Sequence, residues 1–348
     1  MRYFNNIENK NIFYKEPENF YFDSGKEVLS HALGATIYMA ANRETLMKDI
    51  INTSSCTVVI CLEDAVPTSL VEAAELNLMD FFKKIEIRVN EDKEFLYMLP
   101  LIFIRIRDKE QLFRLLNKSK LQGLCGFVLP KFRPMQGAEC LEIISEYNQK
   151  NNRSLYVMPI LETPEVIYKE TRLEELLEIK KVLDDYRDLV LNIRIGGTDF
   201  SGIYGIRRSA KVTIYDVIVI NDCIGDIINM FKRDNYVVSA PVNEYFKDNL
   251  EVLIREINLD KANGLLGKTA IHPKQVEIIN SLMVVSKEEY LDAEAILISE
   301  SDGVIKSAYS NKMNEVKPHL KWAEEIKLLS KITGVLNDGR DFRDILKQ

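Results

Sequence analysis

The sequence lacks any apolar run close to the roughly 20 residues that a helix needs to cross a bilayer. Its first twenty residues are polar and aromatic, and they lack the apolar core of a secretory signal. Low-complexity tracts are also missing. These absences argue against a membrane protein or a secreted one, and we expect a cytoplasmic protein with no membrane partner.

A surplus of basic residues is absent too. The chain has 46 Lys and Arg against 53 Asp and Glu, which gives a net charge of -7 and argues against a nucleic-acid partner. Its five cysteines are odd in number and form no C-x-x-C pair. We therefore predict buried free thiols, and neither a disulfide framework nor a zinc site.

What the sequence does contain is a regular alternation of short apolar segments with helix-like ones. Strands that alternate with helices make a parallel sheet, and continuous apolar strands are buried on both faces. Eight such units favour an α/β fold of the closed (β/α)8 TIM-barrel type, with an open doubly wound sheet as the alternative. The predicted strands lie at 35–41, 56–64, 101–107, 123–131, 155–162, 189–199, 236–242 and 264–273.

The barrel does not use the whole chain. We predict an N-terminal extension over 1–34, the barrel over 35–285 and a C-terminal helical region over 286–348. The polar stretch 301–319 interrupts the helices of this last region and is expected to be a loop.

Nearly every predicted strand ends in an ionisable residue. In a (β/α)8 barrel these ends meet at one opening, the barrel mouth, where the chemistry takes place. Each residue alone fits a helix cap or a solvated charge, but such a set is costly to desolvate unless its members pair with each other, a metal or an anionic ligand. The residues are Arg43, Glu63, Asp64, Arg105, Arg107, Lys131, Glu162, Asp199, Glu244, Lys268 and His272.

Glu162 and Asp199 follow neighbouring predicted strands and supply hard oxygen ligands of the kind that Mg2+ accepts. Sulfur and imidazole are missing beside them, which disfavours zinc. Arg105 is suited to a bidentate grip on a carboxylate or phosphate. Together these types suit an acid with a neighbouring keto or hydroxy group, because a metal can polarise its oxygen and stabilise an enolate.

Gly196 and Gly197 stand directly before the predicted ligand Asp199. They would let the backbone approach a bound ligand closely, with a tight strand exit as the alternative explanation. We count both, together with Thr198, as predicted substrate-binding positions.

Six motifs occur in order along the predicted barrel: "CLEDAV" (61–66), "FIRIR" (103–107), "GFVLPK" (126–131), "PILETPEVI" (159–167), "GGTDFSGIYG" (196–205) and "GKTAIHPKQVEIIN" (267–280). Together they resemble the citrate lyase beta subunit and malyl-CoA lyase family, the HpcH/HpaI aldolases, which are TIM-barrel carbon–carbon lyases. The resemblance covers about 35–285. It implies Mg2+ held by Glu162 and Asp199, Arg105 holding the keto-acid end, and Glu63 and Asp64 lining the same site.

The resemblance also reaches further residues. "IEIRVNE" (85–91) is superficially similar to the family's arginine strand through Arg88, but we prefer Arg105, whose strand is followed at the usual distance by "GFVLPK". Arg43 stands in the loop that meets CoA phosphates in many relatives. We predict that Arg43, Lys131 and His272 contact the substrate.

The segment "NKMNEVKPH" (311–319) is similar to a late family motif whose acid reaches a neighbouring subunit's site, with Glu315 where an aspartate is usual. This implies a homo-oligomer, a trimer or hexamer. "LGATIYMAANR" and "RIGGTDFSGIYGIRRS" resemble a divergent branch, the lyases associated with tellurium-resistance gene clusters, for which a CoA thioester is not assumed.

The sequence thus predicts a Mg2+-dependent carbon–carbon lyase or aldolase acting on a small oxo- or hydroxy-acid or its CoA thioester. Glu315 from a partner, or Asp64 locally, would move the proton. The alternatives are a malate-synthase-like condensation or thioester hydrolysis at the same site, and a barrel that binds a small acid without turnover.

Overall fold

The computed structural model of the protein describes residues 1–118, 120–247, 250–301, 303–309 and 311–347. A parallel sheet of eight strands forms its centre, and two small two-stranded sheets contain the other four strands of the described residues. In chain order the strands are β1 (Phe13–Lys15), β2 (Ala35–Ala40), β3 (Thr57–Cys61), β4 (Leu101–Arg105), β5 (Leu124–Leu129), β6 (Tyr156–Leu161), β7 (Ile193–Ile195), β8 (Val238–Ser239), β9 (Lys268–Ala270), β10 (Val304–Lys306), β11 (Met313–Glu315) and β12 (Val335–Leu336).

Helices connect the strands and cover the outside of the sheet. Short 3-10 helices lie at Lys10–Ile12, Thr68–Leu70, Ile214–Asp216 and Lys232–Asp234. The α-helices are α1 (Lys26–His31), α2 (Leu46–Ile51), α3 (Val71–Glu91), α4 (Phe95–Met98), α5 (Lys109–Lys118), α6 (Pro134–Asn151), α7 (Pro164–Ile167), α8 (Lys169–Asp185), α9 (Gly197–Ile203), α10 (Ile218–Phe231), α11 (Leu250–Ala262), α12 (Pro273–Leu282), α13 (Lys287–Ile298), α14 (Val316–Ile332) and α15 (Phe342–Leu346).

Strands β2 to β9 close into a (β/α)8 barrel. Their order is β8-β7-β6-β5-β4-β3-β2-β9, and every neighbouring pair is parallel. A parallel bridge between Ala240 and Lys268 joins the two outer strands. The predicted fold class is therefore confirmed, and each of the eight predicted segments contains one barrel strand.

The last three barrel strands, β7, β8 and β9, are much shorter than the predicted segments that contain them. Within 189–199 only Ile193–Ile195 is strand, because the chain turns at Gly196 directly into α9. Asp199 consequently lies in the first turn of a helix. The placement of Lys268 at the barrel mouth was wrong, since Lys268 is the first residue of β9 and is fully buried.

Successive side chains along each strand point to opposite sides of the barrel wall. Val58 and Ile60 belong to the large apolar cluster that packs under the outer helices. Val59, Phe103 and Met158 belong to a second cluster, which fills the barrel interior. The interior is therefore a packed core, and a ligand can enter only where the strands end.

The N-terminal residues close the barrel end opposite to the mouth. Tyr3 and Phe20 are buried in the interior cluster, and the Tyr3 hydroxyl donates a hydrogen bond of 2.8 Å to the carbonyl of Ala32. Strand β1 pairs with β12, so residues before the barrel and after it meet in one small antiparallel sheet. The division of the chain at 34 and 285 stays a prediction.

The C-terminal region contains α13 and α14, which pack against each other around a small apolar cluster. The polar stretch between them is more ordered than the predicted loop. It contains the antiparallel hairpin of β10 and β11, in which Val304 pairs with Glu315.

All five cysteines are buried and free, as predicted. Burial raises the pKa of Cys56 and that of Cys125 to about 12, so these thiols stay protonated at neutral pH. None of the helices in the described part of the chain is long and apolar enough to cross a membrane.

Candidate active site at the barrel mouth

Five consecutive strands deliver charged side chains to one place at the barrel mouth. Each of these residues ends its strand or follows it within a few positions, which is where a (β/α)8 barrel carries its functional groups. We call these six residues the rim cluster: Glu63 and Asp64 after β3, Arg105 at the end of β4, Lys131 after β5, Glu162 after β6 and Asp199 in the first turn of α9.

Arg105 lies at the centre of the rim cluster. Its Nη2 is 2.8 Å from Glu63 Oε2, 2.8 Å from Asp64 Oδ2 and 3.4 Å from Glu162 Oε1. Burial alone would lower the pKa of Arg105, but the charge of Glu162 and its other neighbours holds that pKa well above the ordinary value. Arg105 is thus a permanent cation, and its Nε is buried without a hydrogen-bond partner.

Lys131 ties two of the acids together. Its Nζ is 2.7 Å from Glu63 Oε1, and its backbone N–H donates a 2.8 Å hydrogen bond to Glu162 Oε1. The second bond depends on a left-handed backbone, because Lys131 has a φ of 47°. A non-glycine residue in this region carries strain, which is found most often at functional sites.

Glu162 and Asp199 face each other across the exits of β6 and β7. Glu162 is only 4% exposed. Burial and the negative charge and hydrogen bonding of Asp199 raise the pKa of Glu162 to about 8, against the opposing effect of Arg105. Gly196 permits this approach, since a Cβ at that position would lie 2.3 Å from Glu162 Oε2.

When Glu162 is ionised, the rim cluster has four carboxylates against two cations, a surplus that one divalent cation would neutralise. In the described ranges, no group of three or more His, Cys, Asp and Glu side chains is arranged to hold a metal. Mg2+ does not need such a cage, because it commonly binds one or two carboxylates and completes its octahedron with water and substrate oxygens. Glu162 and Asp199 fit that requirement.

Asp64 stays ionised in this setting. Burial on its own would raise the pKa of Asp64, but the hydrogen bond to Glu63 and the charges of Arg105 and Lys131 hold that pKa below its ordinary value. A carboxylate of low pKa is a weak base at neutral pH. Asp64 is therefore better suited to orienting Arg105 than to carrying a proton.

Arg107 holds the loop that carries Glu63 and Asp64 through hydrogen bonds to its backbone. The guanidinium donates to the carbonyls of Leu62 at 2.7 Å, Glu63 at 3.1 Å and also Val66. The sequence placed Arg107 at the mouth without a role. The sequence pattern contained no signal for this role, because residues two apart in a strand point to the same side and Arg107 lies beyond the end of β4.

The rim cluster opens on a cavity of about 350 Å³. Asp64, Arg105, Glu162 and Asp199 line one side of it, and Gly196, Gly197 and Thr198 line it with their backbone or side chains. Thr198 also donates a 3.1 Å hydrogen bond to Glu244. The floor consists of residues that the sequence analysis did not single out, namely Tyr38, Arg194 and Thr269.

Three predicted substrate contacts lie outside the lining of this cavity: Lys131, which belongs to the rim cluster, and the more distant Arg43 and His272. Arg43 is half-exposed and pairs with Asp49, with Nε 2.8 Å from Oδ2. His272 caps α12, accepts a hydrogen bond from the N–H of Lys274 and stacks on Phe246 with ring centroids 4.6 Å apart. The structure does not bring either residue to the rim cluster, and their roles in binding stay predictions.

Arg88, the rejected alternative to Arg105, lies on α3, where its guanidinium is 5.2 Å from the ring of Phe95. The stretch that carries it is a helix, although its alternating pattern is typical of a strand.

Glu315 lies far from the rim cluster along the fold. It ends β11 and precedes α14, which packs on α1. Residues of α14 line a second cavity together with the starts of β7, β8 and β9, at the end of the barrel opposite to the mouth. Within one chain Glu315 therefore does not join the site.

Comparisons with known proteins agree with this architecture. The sequence profile of the carbon–carbon bond lyases of the TIM-barrel fold matches residues 27–335. A comparison with curated proteins found no match.

Several solved structures share the fold. A citrate lyase from Burkholderia xenovorans is similar over 91% of this chain and 96% of its own, with 15% identity and a TM-score of 0.66. CitE from Mycobacterium tuberculosis, solved with magnesium, acetoacetate and coenzyme A, is similar over 86% and 99%, with 18% identity and a TM-score of 0.60. A malate synthase from Haloferax volcanii is similar over 70% and 71%, with 12% identity and a TM-score of 0.54.

Proposed function

The chain belongs to the family of carbon–carbon bond lyases of the TIM-barrel fold. From that premise we propose that it is a Mg2+-dependent lyase or aldolase, which cleaves or forms the bond beside the carboxylate of a small oxo- or hydroxy-acid. The finer elements of this proposal are the metal, the substrate class and the residue roles.

One observation carries the proposal: Glu162 and Asp199 face each other at the edge of a cavity in a cluster with surplus negative charge. Two carboxylates held so close repel each other unless a proton or a cation lies between them. Mg2+ bound there would polarise the carbonyl oxygen of an oxo-acid and stabilise the negative charge that develops as the carbon–carbon bond breaks. CitE of Mycobacterium tuberculosis, which has the same fold, was solved with magnesium and acetoacetate.

The remaining rim residues have distinct tasks in this proposal. Arg105 attracts and orients the acid group, because a buried guanidinium is a fixed cation with directed donors. Lys131 holds Glu63 and Glu162 in place, and Asp64 holds Arg105. The site therefore needs little reorganisation when the substrate binds.

The proton would be moved by Glu315 of a neighbouring subunit. The low pKa of Asp64 and the distance of Glu315 from its own mouth both favour this assignment over a local base. Cleavage of a 3-hydroxy acid needs one base to take the hydroxyl proton and one acid to protonate the carbanion released, and a single carboxylate can do both in turn. The active protein is then a homo-oligomer, a trimer or a hexamer.

A ligand screen with Mg2+ tests the function. Small oxo- and hydroxy-acids and their CoA esters are incubated with the protein, and release of pyruvate, oxaloacetate or acetyl-CoA is followed, with Asp199→Asn as the inactive control. We expect turnover that disappears with EDTA, and a melting temperature raised by an oxo-acid only when Mg2+ is present.

The same screen separates the alternatives. Consumption of acetyl-CoA with an oxo-acid would indicate condensation, and release of free CoA alone would indicate thioester hydrolysis. A melting temperature that rises with an acid, with no product from any arm, would replace the enzyme by a binding protein.

A further inference from the structure

The floor of the mouth cavity contains a buried arginine whose partners are all neutral. Arg194 on β7 is 2% exposed. Its Nη2 donates to the hydroxyl of Thr269 at 2.7 Å, and its Nη1 is 3.5 Å from the hydroxyl of Thr36 and 3.9 Å from the sulfur of Met158. Its guanidinium carbon is 5.9 Å from the ring of Tyr38.

This makes Arg194 an exception among the buried cations. Five Arg and Lys side chains are buried in the ranges that the structure describes, and the other four each have a carboxylate within hydrogen-bonding distance. These pairs are Arg105 with Glu63 at 2.8 Å, Arg172 with Asp222 at 2.7 Å, Arg208 with Glu244 at 2.7 Å and Lys268 with Glu256 at 2.9 Å.

Burying an unpaired charge is unfavourable, because no counter-ion offsets the hydration free energy that the charge loses. Hydroxyl groups and an aromatic face offset only part of that loss. The cost is recovered when an anion enters the cavity that Arg194 lines, since a guanidinium and a carboxylate form strong paired hydrogen bonds.

Arg105, the other arginine of the cavity, is less available for this purpose. Three carboxylates already surround its Nη2. The two guanidinium groups therefore differ in their capacity for a new anion, and the deeper one has the greater capacity.

We propose that Arg194 receives a second anionic group of the substrate, and hence that the substrate is a compact acid with two anionic groups. This inference rests on the proposed function, in which Arg105 orients the first acid group beside Mg2+ held by Glu162 and Asp199. The cavity of about 350 Å³ lies at the small end of the ligand-pocket range, so it suits an acid of a few carbon atoms. The second group is a carboxylate or a phosphate, which share this chemistry.

Binding measurements with isosteric ligands test the proposal. Isothermal titration with Mg2+ present compares oxaloacetate with 2-oxobutanoate, in which a methyl group replaces the second carboxylate, and with 3-phosphonopyruvate, in which a phosphonate replaces it. The proteins are the wild type, Arg194→Met, Arg194→Lys and, as a matched buried arginine outside the cavity, Arg172→Met.

We expect the wild type to bind a dianion at least about 10-fold more tightly than 2-oxobutanoate, and R194M to lose that preference. Its affinity for 2-oxobutanoate should change less than about 3-fold, whereas R172M should keep the full preference. The tighter of the two dianions identifies the second group as carboxylate or phosphate. If R194M does not fold, R194K carries the test, because lysine keeps the charge but loses the paired donors.

Equal affinity of the wild type for oxaloacetate, phosphonopyruvate and 2-oxobutanoate would overturn the inference and leave the proposed function standing. The same conclusion follows if an Arg194 variant weakens all three ligands equally. If the wild type binds none of them with Mg2+, the proposed function fails, and the inference fails with it.

Discussion

Two charged clusters of this barrel differ in how their charges are balanced. The first, the inner network, consists of Arg208, Tyr215, Glu256, Asp260 and Lys268 beside β8 and β9. Lys268 Nζ lies 2.9 Å from Glu256 and 2.9 Å from Asp260, Arg208 pairs with Glu256, and the Tyr215 hydroxyl donates to Asp260 at 2.6 Å. Each buried carboxylate of this network therefore has a cation as its partner, and Arg208 also pairs with the partly exposed Glu244 at 2.7 Å.

The rim cluster has the opposite character. Its four carboxylates face two cations, and it opens on a cavity. The pKa values differ within the inner network as well as between the clusters. Glu256 is buried, yet Lys268 and Arg208 hold its pKa below the ordinary value, whereas burial raises the pKa of Asp260 beside it and, together with Asp199, raises that of Glu162. A closed network stabilises the fold, and an unbalanced one is arranged for a ligand.

The largest expected effect comes from breaking the closed network. Lys268→Met should lower the free energy of unfolding by about 3–5 kcal/mol, because it leaves the buried carboxylate of Asp260 without a cation and Glu256 with Arg208 alone. Urea unfolding measures the loss. The matched control is Lys131→Met in the half-exposed part of the rim cluster, for which we expect a loss below about 1 kcal/mol. Similar losses in the two variants would remove the contrast between the clusters.

Removing one acid of the rim cluster should leave the free energy of unfolding unchanged or raise it. Asp199→Asn relieves the repulsion with Glu162, so without Mg2+ the protein should be as stable as the wild type or more stable by about 1 kcal/mol. Its Mg2+ affinity should fall at least about 100-fold, the upper end of the effect of an outer-shell change. Isothermal titration and urea unfolding in EDTA give the two readouts.

Asp49→Asn, which removes a surface carboxylate paired with Arg43, is the control and should change neither quantity. An unchanged Mg2+ affinity in D199N would refute the ligand assignment.

A smaller effect, confined to turnover, is expected for Glu315→Gln. Loss of a general acid–base group should lower kcat about 100-fold while Mg2+ affinity is retained, because Glu315 is not one of the proposed Mg2+ ligands. Steady-state kinetics and titration check the two quantities, with Glu324→Gln on the same C-terminal segment as the control. A normal kcat in E315Q would assign the proton transfer to another group.

The smallest effect is expected for Arg43→Ala. The Arg43–Asp49 pair is exposed, so its loss should cost less than about 1 kcal/mol and leave turnover of a free acid unchanged. A KM that rises only for CoA esters would indicate that this loop meets nucleotide phosphates. A fall in turnover of a free acid would contradict the placement of Arg43 outside the cavity.

The fold was predictable because parallel buried strands have a strong local signature. Apolar segments such as 101–107 and 155–162 alternate with helical spacing, and eight of them close a barrel. The rim cluster was predictable for a related reason: strand ends converge, so Glu162 and Asp199 had to meet if the strands were neighbours.

The residues that were missed or misplaced depend on information that is not local. Lys268 has a polar side chain near a predicted strand end, but its neutralising partners are on α11, and only the register of β9 shows that it is buried. Arg194 sits in an apolar strand, where a charge has no local explanation. For His272 the sequence pattern did not show that it caps α12 and stacks on Phe246, and its predicted contact with the substrate stays a prediction.

The C-terminal hairpin has a consequence for how the protein behaves at low concentration. Glu315 ends that hairpin at the far side of its own barrel, so a site that uses Glu315 is completed only by association. Dilution below the dissociation constant of the assembly would then lower turnover at least as much as Glu315→Gln does, although every chain remains folded. Specific activity would rise with protein concentration and level off once the assembly is fully formed.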